Sequence, residues 1–286
     1  AIAAAIKSNL KVDDIVNQLI QKSEELGELL SQEEGKPLAE GIGEVARAGQ
    51  QFQYYGSECL RLYGEKIPST RPGFQVEISR EPLGVVGIIS PWNFPIAIPA
   101  WKAAPAMMCG NAVILKPASL TIGSAVALTE IISKQDIPKG LFNLVLGSGS
   151  DIGHKIAVHP EIAAISFTGS VQTGRQLYKD ASSTMKKMQM EMGSKNPLII
   201  MDDADLKTAI TCAVNGAYGG TGQKCTASSR LIVHENIYRK FIDGLLENIK
   251  NLKVGHALDE GTQMGPVSSQ SQFDSNLKYV DIGKGE

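Results

Sequence analysis

The chain has 286 residues, 43% hydrophobic and 20% charged, with 28 basic side chains against 30 acidic ones. A net charge of −2 is too balanced for a nucleic-acid footprint, and the length predicts about two domains. The most apolar region, Gly84 to Leu115, is broken by Pro91, Pro95, Pro99, Lys102 and Pro105, which excludes an uninterrupted membrane span.

Ala1 opens an Ala/Ile-rich helical pattern, and residues 12 to 64 read as mostly helical. Val12, Ile15, Val16, Leu19 and Ile20 recur at helical spacing, as do Leu26, Leu29 and Leu30. Gly35 and Pro37 predict a break, after which Val45 to Tyr63 resumes in helical style. From Val76 short apolar runs alternate with Ala-rich segments. Val85–Ile89, Ala112–Leu115, Phe142–Leu146, Ala164–Phe167 and Leu198–Met201 predict buried strands; 97–108, 121–134, 150–158 and 171–182 predict helices. That alternation predicts an α/β fold, a doubly wound, Rossmann-like and mostly parallel sheet with flanking helices. Past Asn196–Pro197, a strand at Arg230–His234 and an amphipathic helix at Tyr238–Leu252 predict the beginning of a second α/β domain. Lys278 to Glu286 trail off without an obvious structural ending, and both ends read as cuts through a longer protein.

Cys59, Cys109, Cys212 and Cys225 form no CxxC pair and have no His at metal-ligand spacing. That pattern argues against a zinc site or a disulfide framework and for a reducing compartment, with the cytosol as default.

In doubly wound sheets ligands bind beyond the carboxyl ends of the strands, so chemistry is expected just after each apolar run. Gly147 to Gly153 spells GxGxxxG between a strand and a helix; a plain tight turn accounts for it equally well. Phe167-Thr168-Gly169-Ser170 offers a second such junction, able to hold a pyrophosphate or to serve as a simple Ser cap. Lys116 ends a strand where a cofactor's ribose or phosphate would lie, although a snorkelling lysine reads the same way. Pro91-Trp92-Asn93-Phe94-Pro95 fixes an amide donor in a rigid segment, which suits an oxyanion hole or a buried turn.

Cys225 follows Gly219-Gly220-Thr221-Gly222-Gln223-Lys224, so its open backbone and adjacent lysine favour a thiolate, whereas the other cysteines read as inert small hydrophobes. Glu191 sits among Met188, Met190 and Met192, surroundings that would raise a carboxyl toward general-base duty; an exposed Glu is the commoner case.

Taken together, PWNFP at Pro91–Pro95, KPAS at Lys116–Ser119, FTGS at Phe167–Ser170, EMGSKNP at Glu191–Pro197 and GQKCTASSR at Gly222–Arg230 resemble the aldehyde dehydrogenase superfamily, in its order and approximate spacing. The resemblance extends across essentially the whole chain, and the motif wording is most similar to the α-ketoglutaric and succinate semialdehyde dehydrogenases. It implies that residues 1–190 comprise N-terminal helices and a dinucleotide-binding domain, with 191–286 the first part of a catalytic domain. Family chains are longer; this one lacks the opening strands and stops before the family's E-x-F-G-P motif.

The implied roles are Cys225 as nucleophile, Glu191 as the base that activates water, and Asn93 as oxyanion donor. Trp92, Lys116, Ser119, Gly169, Ser170 and Gly174 are implied cofactor contacts, with Met192 beside the nicotinamide. Lys102 matches a lysine that some members use in a proton relay. No metal is implied. Ser194 departs from the family's usual glycine, and Ser119 stands where NAD-preferring relatives often carry a glutamate, so the expected cofactor is NADP or NAD. The expected substrate is an aldehyde, specifically an acidic semialdehyde, with Arg230 as a guess for its distal anchor. No nucleic-acid or membrane partner is expected, and the full-length protein is expected to be a homodimer or homotetramer. Competing readings are a cofactor-independent thiol esterase and a non-catalytic dinucleotide-binding fragment.

Overall fold

Residues 12–286 are described by the computed structural model; the helical pattern expected from Ala1 falls largely outside them. The first helix, α1 (Val12–Gln21), opens with Asp13 and Asp14, whose charges suit a helix N-terminus, and buries Ile15, Val16 and Leu19. In α2 (Ser23–Glu34) Leu26 and Leu30 are buried. Gly35 stops it at φ 97°, its N–H bonding to the Ser31 carbonyl at 2.9 Å. After Pro37 the chain enters α3 (Leu38–Glu58), which buries Val45, Ala48 and Phe52. The expected break at Gly35–Pro37 is therefore present.

The chain divides into two compact units. One takes in residues up to Ser23 together with Glu44–Glu191, the other Glu24–Gly43 together with Met192–Glu286.

In the first unit, β1 (Glu65–Pro68) and β2 (Gln75–Ile78) form an antiparallel pair whose residues are all exposed. The larger sheet contains β3 (Val85–Ile89), β4 (Ala112–Lys116), β5 (Phe142–Leu144), β6 (Ile162–Gly169) and β7 (Lys187–Met192), in the spatial order β5-β4-β3-β6-β7. Three of its pairings, β3 with β4, β4 with β5 and β3 with β6, are parallel. The crossovers contain α4 (Ala97–Met108), α5 (Ile122–Ser133), α6 (Gly149–Val158) and α7 (Val171–Ser182). Val86, Gly87, Ile88 and Ile89 of β3 are buried in succession, as are Ala164 and Ile165 and then Phe167 and Thr168 of β6, which is why these strands read as continuous apolar runs rather than alternations. Each buried Val, Ile or Phe side chain among them stabilises the fold by roughly 1.5–3 kcal/mol. The chain moves outward from β3 through β4 to β5 and then returns to the other flank of β3 as β6. The strand order therefore reverses at β3 and β6, and a crevice is expected beyond their carboxyl ends.

In the second unit β8 (Asn196–Ile200) and β9 (Ser228–Val233) pair in parallel. The crossover is made by α8 (Leu206–Tyr218), capped by Asp205, followed by a tight turn at Gly219–Gly222. Burial of Ile200, Ile210, Ala213, Val214, Phe241 and Leu245 joins this pair to α9 (Tyr238–Lys250). The last element is α10 (Gln270–Gly285), with Ser269 accepting from the Gln272 N–H at its start; the sequence reading assigned no element there. Ser269 and the spacing of Phe273 and Leu277 were the available sequence signals.

Candidate active site

At the end of β3 the Ser90 N–H bonds to the Lys116 carbonyl at 3.1 Å, which ties the PWNFP segment to the end of β4. Pro91 to Phe94 are half-buried, whereas Pro95 and Ile96 are buried. The start of α4 has an apolar cap position, Ile96, with no capping side chain of its own. Glu44 of α3 supplies the acceptor instead: its Oε1 receives the N–H groups of Ile96 at 2.9 Å and Ala97 at 3.0 Å. Glu44 is only 4% exposed, so a buried carboxylate fixes the helix that follows Asn93.

Lys116 is 4% exposed, and burial pushes its amine below the ordinary lysine range. Its Nζ donates to the Pro117 carbonyl at 2.8 Å, and a Cβ added to Gly149 would lie 3.9 Å from it. The amine thus stands beside the first turn of α6, where Ser148 caps the helix by accepting from the Asp151 N–H at 3.2 Å. Ser119 is exposed on the loop beyond. At the end of β6 a Cβ on Gly169 would meet the Phe167 ring at 2.7 Å, so only glycine fits. Ser170 caps α7, accepting from the Thr173 N–H at 3.2 Å, and Gly174 is buried one turn on. The plain capping reading of Ser170 is therefore realised, and it leaves the other N–H groups of that first turn for a ligand.

Trp92, Asn93, Lys116, Gly169 and Ser170 thus gather along the carboxyl ends of β3, β4 and β6. Glu191 and Met192, both half-buried, end β7. Lys102, on α4, donates from Nζ to Ser166 Oγ at 2.8 Å and to Gln189 Oε1 at 2.9 Å, while Ser166 Oγ donates to the same Gln189 oxygen at 2.5 Å. Burial lowers the Lys102 amine to about 8, against the opposing pull of the Glu191 charge.

In the second unit Cys225 is half-buried and follows three residues in the left-handed region: Gly220, Thr221 and Gly222, with φ of 57°, 58° and 69°. Lys224 directs its Nζ to the Asn215 carbonyl at 3.2 Å. Ser194 is exposed, and the exposed Arg230 donates from Nε to the Lys195 carbonyl at 3.0 Å.

Sequence reasoning missed Glu44, Ser166, Gln189 and Asn196. Glu44 interrupts the apolar stripe that it shares with Ala48 and Phe52, one and two turns on, and Gln189 shares a strand face with Glu191; those were the usable signals. Asn196 reaches the Cys225 carbonyl at 2.7 Å across a sequence gap that no local pattern bridges. Among the described residues, no cluster of three or more His, Cys, Asp or Glu could hold a metal ion, and no helix is long and apolar enough to cross a membrane.

The α-ketoglutaric semialdehyde dehydrogenase of Bacillus subtilis is 44% identical over 276 residues, 96% of this chain and 56% of the relative. The 2,5-dioxopentanoate dehydrogenase of Saccharolobus solfataricus is 41% identical over 266 residues, 92% of this chain and 55% of the relative. The chain therefore spans about half the length of the curated relatives it matches. A betaine aldehyde dehydrogenase from Staphylococcus aureus, solved in complex with NAD+, superposes with a TM-score of 0.95 at 35% identity, covering 98% of this chain and 56% of that one. The profile of the aldehyde dehydrogenase family matches residues 9–286, and the chain belongs to that family.

Proposed function

We propose that this chain carries the nucleophile, the base and most of the cofactor site of an NAD(P)+-dependent aldehyde dehydrogenase that oxidises an acidic semialdehyde to the dicarboxylate. The observation that carries this reading is the gathering of Trp92, Asn93, Lys116, Gly169 and Ser170 along the carboxyl ends of neighbouring strands, where the strand order reverses. The residues present fit a dinucleotide. The buried Lys116 amine stands beside Gly149, whose missing side chain leaves room next to it, and the first turn of α7 offers N–H donors to a pyrophosphate. Ser119, Gly174 and Met192 would be the remaining residues to contact the dinucleotide.

In this reading the dinucleotide-binding part lies within residues 1–190 and 191–286 begin the catalytic part, to whose compact unit residues 24–43 also belong. The Cys225 thiolate attacks the aldehyde carbon; a C–S bond forms, and the carbonyl electron pair moves to oxygen. The Asn93 side-chain N–H and the Cys225 backbone N–H hold that oxyanion. When bound, NAD(P)+ supplies the acceptor for the hydride that leaves the same carbon. Glu191 then removes a proton from water, the hydroxide adds to the Cys225 thioester, and the thiolate departs as the acid forms. Arg230, held through Nε, provides a cation for the substrate's distal carboxylate. The semialdehyde assignment is supported by the names of the relatives. The same reading takes the full-length protein as a cytosolic homodimer or homotetramer.

Replacing Cys225 by Ser in the full-length protein tests the reading. Turnover is expected to vanish while dinucleotide binding persists, and retained turnover would rule out the nucleophile.

A further inference from the structure

In the second unit the segment around Cys225 is held by side chains from distant parts of the sequence. Thr221 carries a Cβ in the left-handed region, a conformation that persists only where the surroundings impose it. Those surroundings are specific. Glu40 Oε1 accepts from the Gly220 N–H at 3.0 Å, and Thr221 Oγ1 donates to the Gly265 carbonyl at 3.1 Å. Gln223 Oε1 accepts from the Ser268 N–H at 3.0 Å. Beyond the turn, the Asn196 amide donates to the Cys225 carbonyl at 2.7 Å and to the Ala227 carbonyl at 3.2 Å. One amide group thus fixes two peptide planes where the chain enters β9.

We propose that Glu40 and Asn196 are positioning residues for the nucleophile. They hold the main chain on the two sides of Cys225, so that its thiol and its N–H are presented in a single geometry. The inference rests on the reading of Cys225 as nucleophile. Covalent attack tolerates little misplacement: a shift of about 1 Å costs roughly 100-fold in rate. The two clamps differ in chemistry. Glu40 acts only as an acceptor, so glutamine can replace it; Asn196 must donate, so the isosteric but acceptor-only aspartate cannot.

The test uses Glu40→Ala, Glu40→Gln and Asn196→Asp in the full-length protein. The first readout needs neither substrate nor cofactor: amide hydrogen exchange in peptides spanning 219–227. Glu40→Ala and Asn196→Asp are expected to exchange at least about fivefold faster there, with Glu40→Gln at the wild-type rate and the β3–β6 peptides unchanged. The second readout is kinetic. In the two disrupting variants kcat is expected to fall roughly 10–100-fold while KM for the dinucleotide stays within about twofold, and Glu40→Gln restores kcat. Wild-type exchange in both disrupting variants overturns the proposal, as does an unchanged kcat where exchange in the loop has risen. Retained turnover in Cys225→Ser would instead remove the assignment on which the proposal rests, and the exchange data would separate that failure from a failure of the clamp.

Discussion

Replacing Glu44 by Ala should destabilise the first unit by stranding two buried backbone donors. The Glu44 carboxylate is 4% exposed and accepts two backbone N–H groups, from Ile96 and Ala97, which are 0% and 1% exposed. With the acceptor gone, both donors are stranded away from water, at about 1–3 kcal/mol each. The favourable charge at the start of α4 is lost as well, adding a fraction of a kcal/mol or more. A destabilisation of about 2–7 kcal/mol follows, and for domains of roughly 150–250 residues each kcal/mol lowers Tm by about 2–4 °C. Glu44→Gln retains an oxygen for the two N–H groups and loses only the charge, so about 1 kcal/mol is expected. Calorimetry on both variants, with urea unfolding as a second measure, separates the contributions. A Tm for Glu44→Ala within 2 °C of wild type, taken as roughly 1 kcal/mol, would refute the reasoning; so would a glutamine variant as damaged as the alanine variant.

Lys102 makes stability depend on pH with a definite sign. Its folded amine is lowered from 10.5 to about 8, so between those values the unfolded chain binds the extra proton and stability rises with pH. Relative to Lys102→Met, the wild type should therefore gain stability from pH 8 toward 10.5; parallel urea midpoints across that window would contradict the burial argument. At Gly87, on the central strand β3, an added Cβ would come 2.5 Å from Ile156 Cγ2, and Ile156 is itself 5% exposed. Gly87→Ala should cost about 1–3 kcal/mol through overpacking, and an unaltered urea midpoint would show that the helix can give way. If, as proposed, the Lys116 ammonium pairs with a 2′-phosphate, Lys116→Met in the full-length protein should raise KM for NADP+ more than for NAD+. Equal effects on the two cofactors would remove that role.

The parts of the fold that were legible in the sequence are those whose burial is symmetrical. Strands β3, β4 and β6 are largely covered on both faces, so their apolar runs stand out, and α4 was legible in spite of Pro105 because its buried alanines, Ala97, Ala100, Ala103 and Ala104, recur at helical spacing. The β1–β2 pair gave no signal because every residue in it is exposed, which leaves no alternation to detect. In β7 the sequence Lys187-Met188-Gln189-Met190-Glu191-Met192 carries a period-two pattern, weak because none of its residues is fully buried. Asp205 and the spacing of Ile210, Ala213 and Val214 likewise announced α8. The site's individual chemical groups could be named from motif wording. Their supports could not: Glu44 meets Ile96, and Asn196 meets Cys225, only once the chain has folded back on itself.

The composition of the second unit also constrains how the chain can be made. Residues 24–43 belong with a segment that begins only at Met192. The close fit of Gly27 against Ile42 can form early, but the approach of Gly35 to Pro266 and the bond from the Leu38 N–H to the Ala257 carbonyl have no partner until most of the chain has been synthesised. At roughly 5–20 residues per second, the ribosome leaves α2 waiting for on the order of ten seconds or more. During that interval the chain around Gly35 and Leu38 lacks the partners it has in the finished fold.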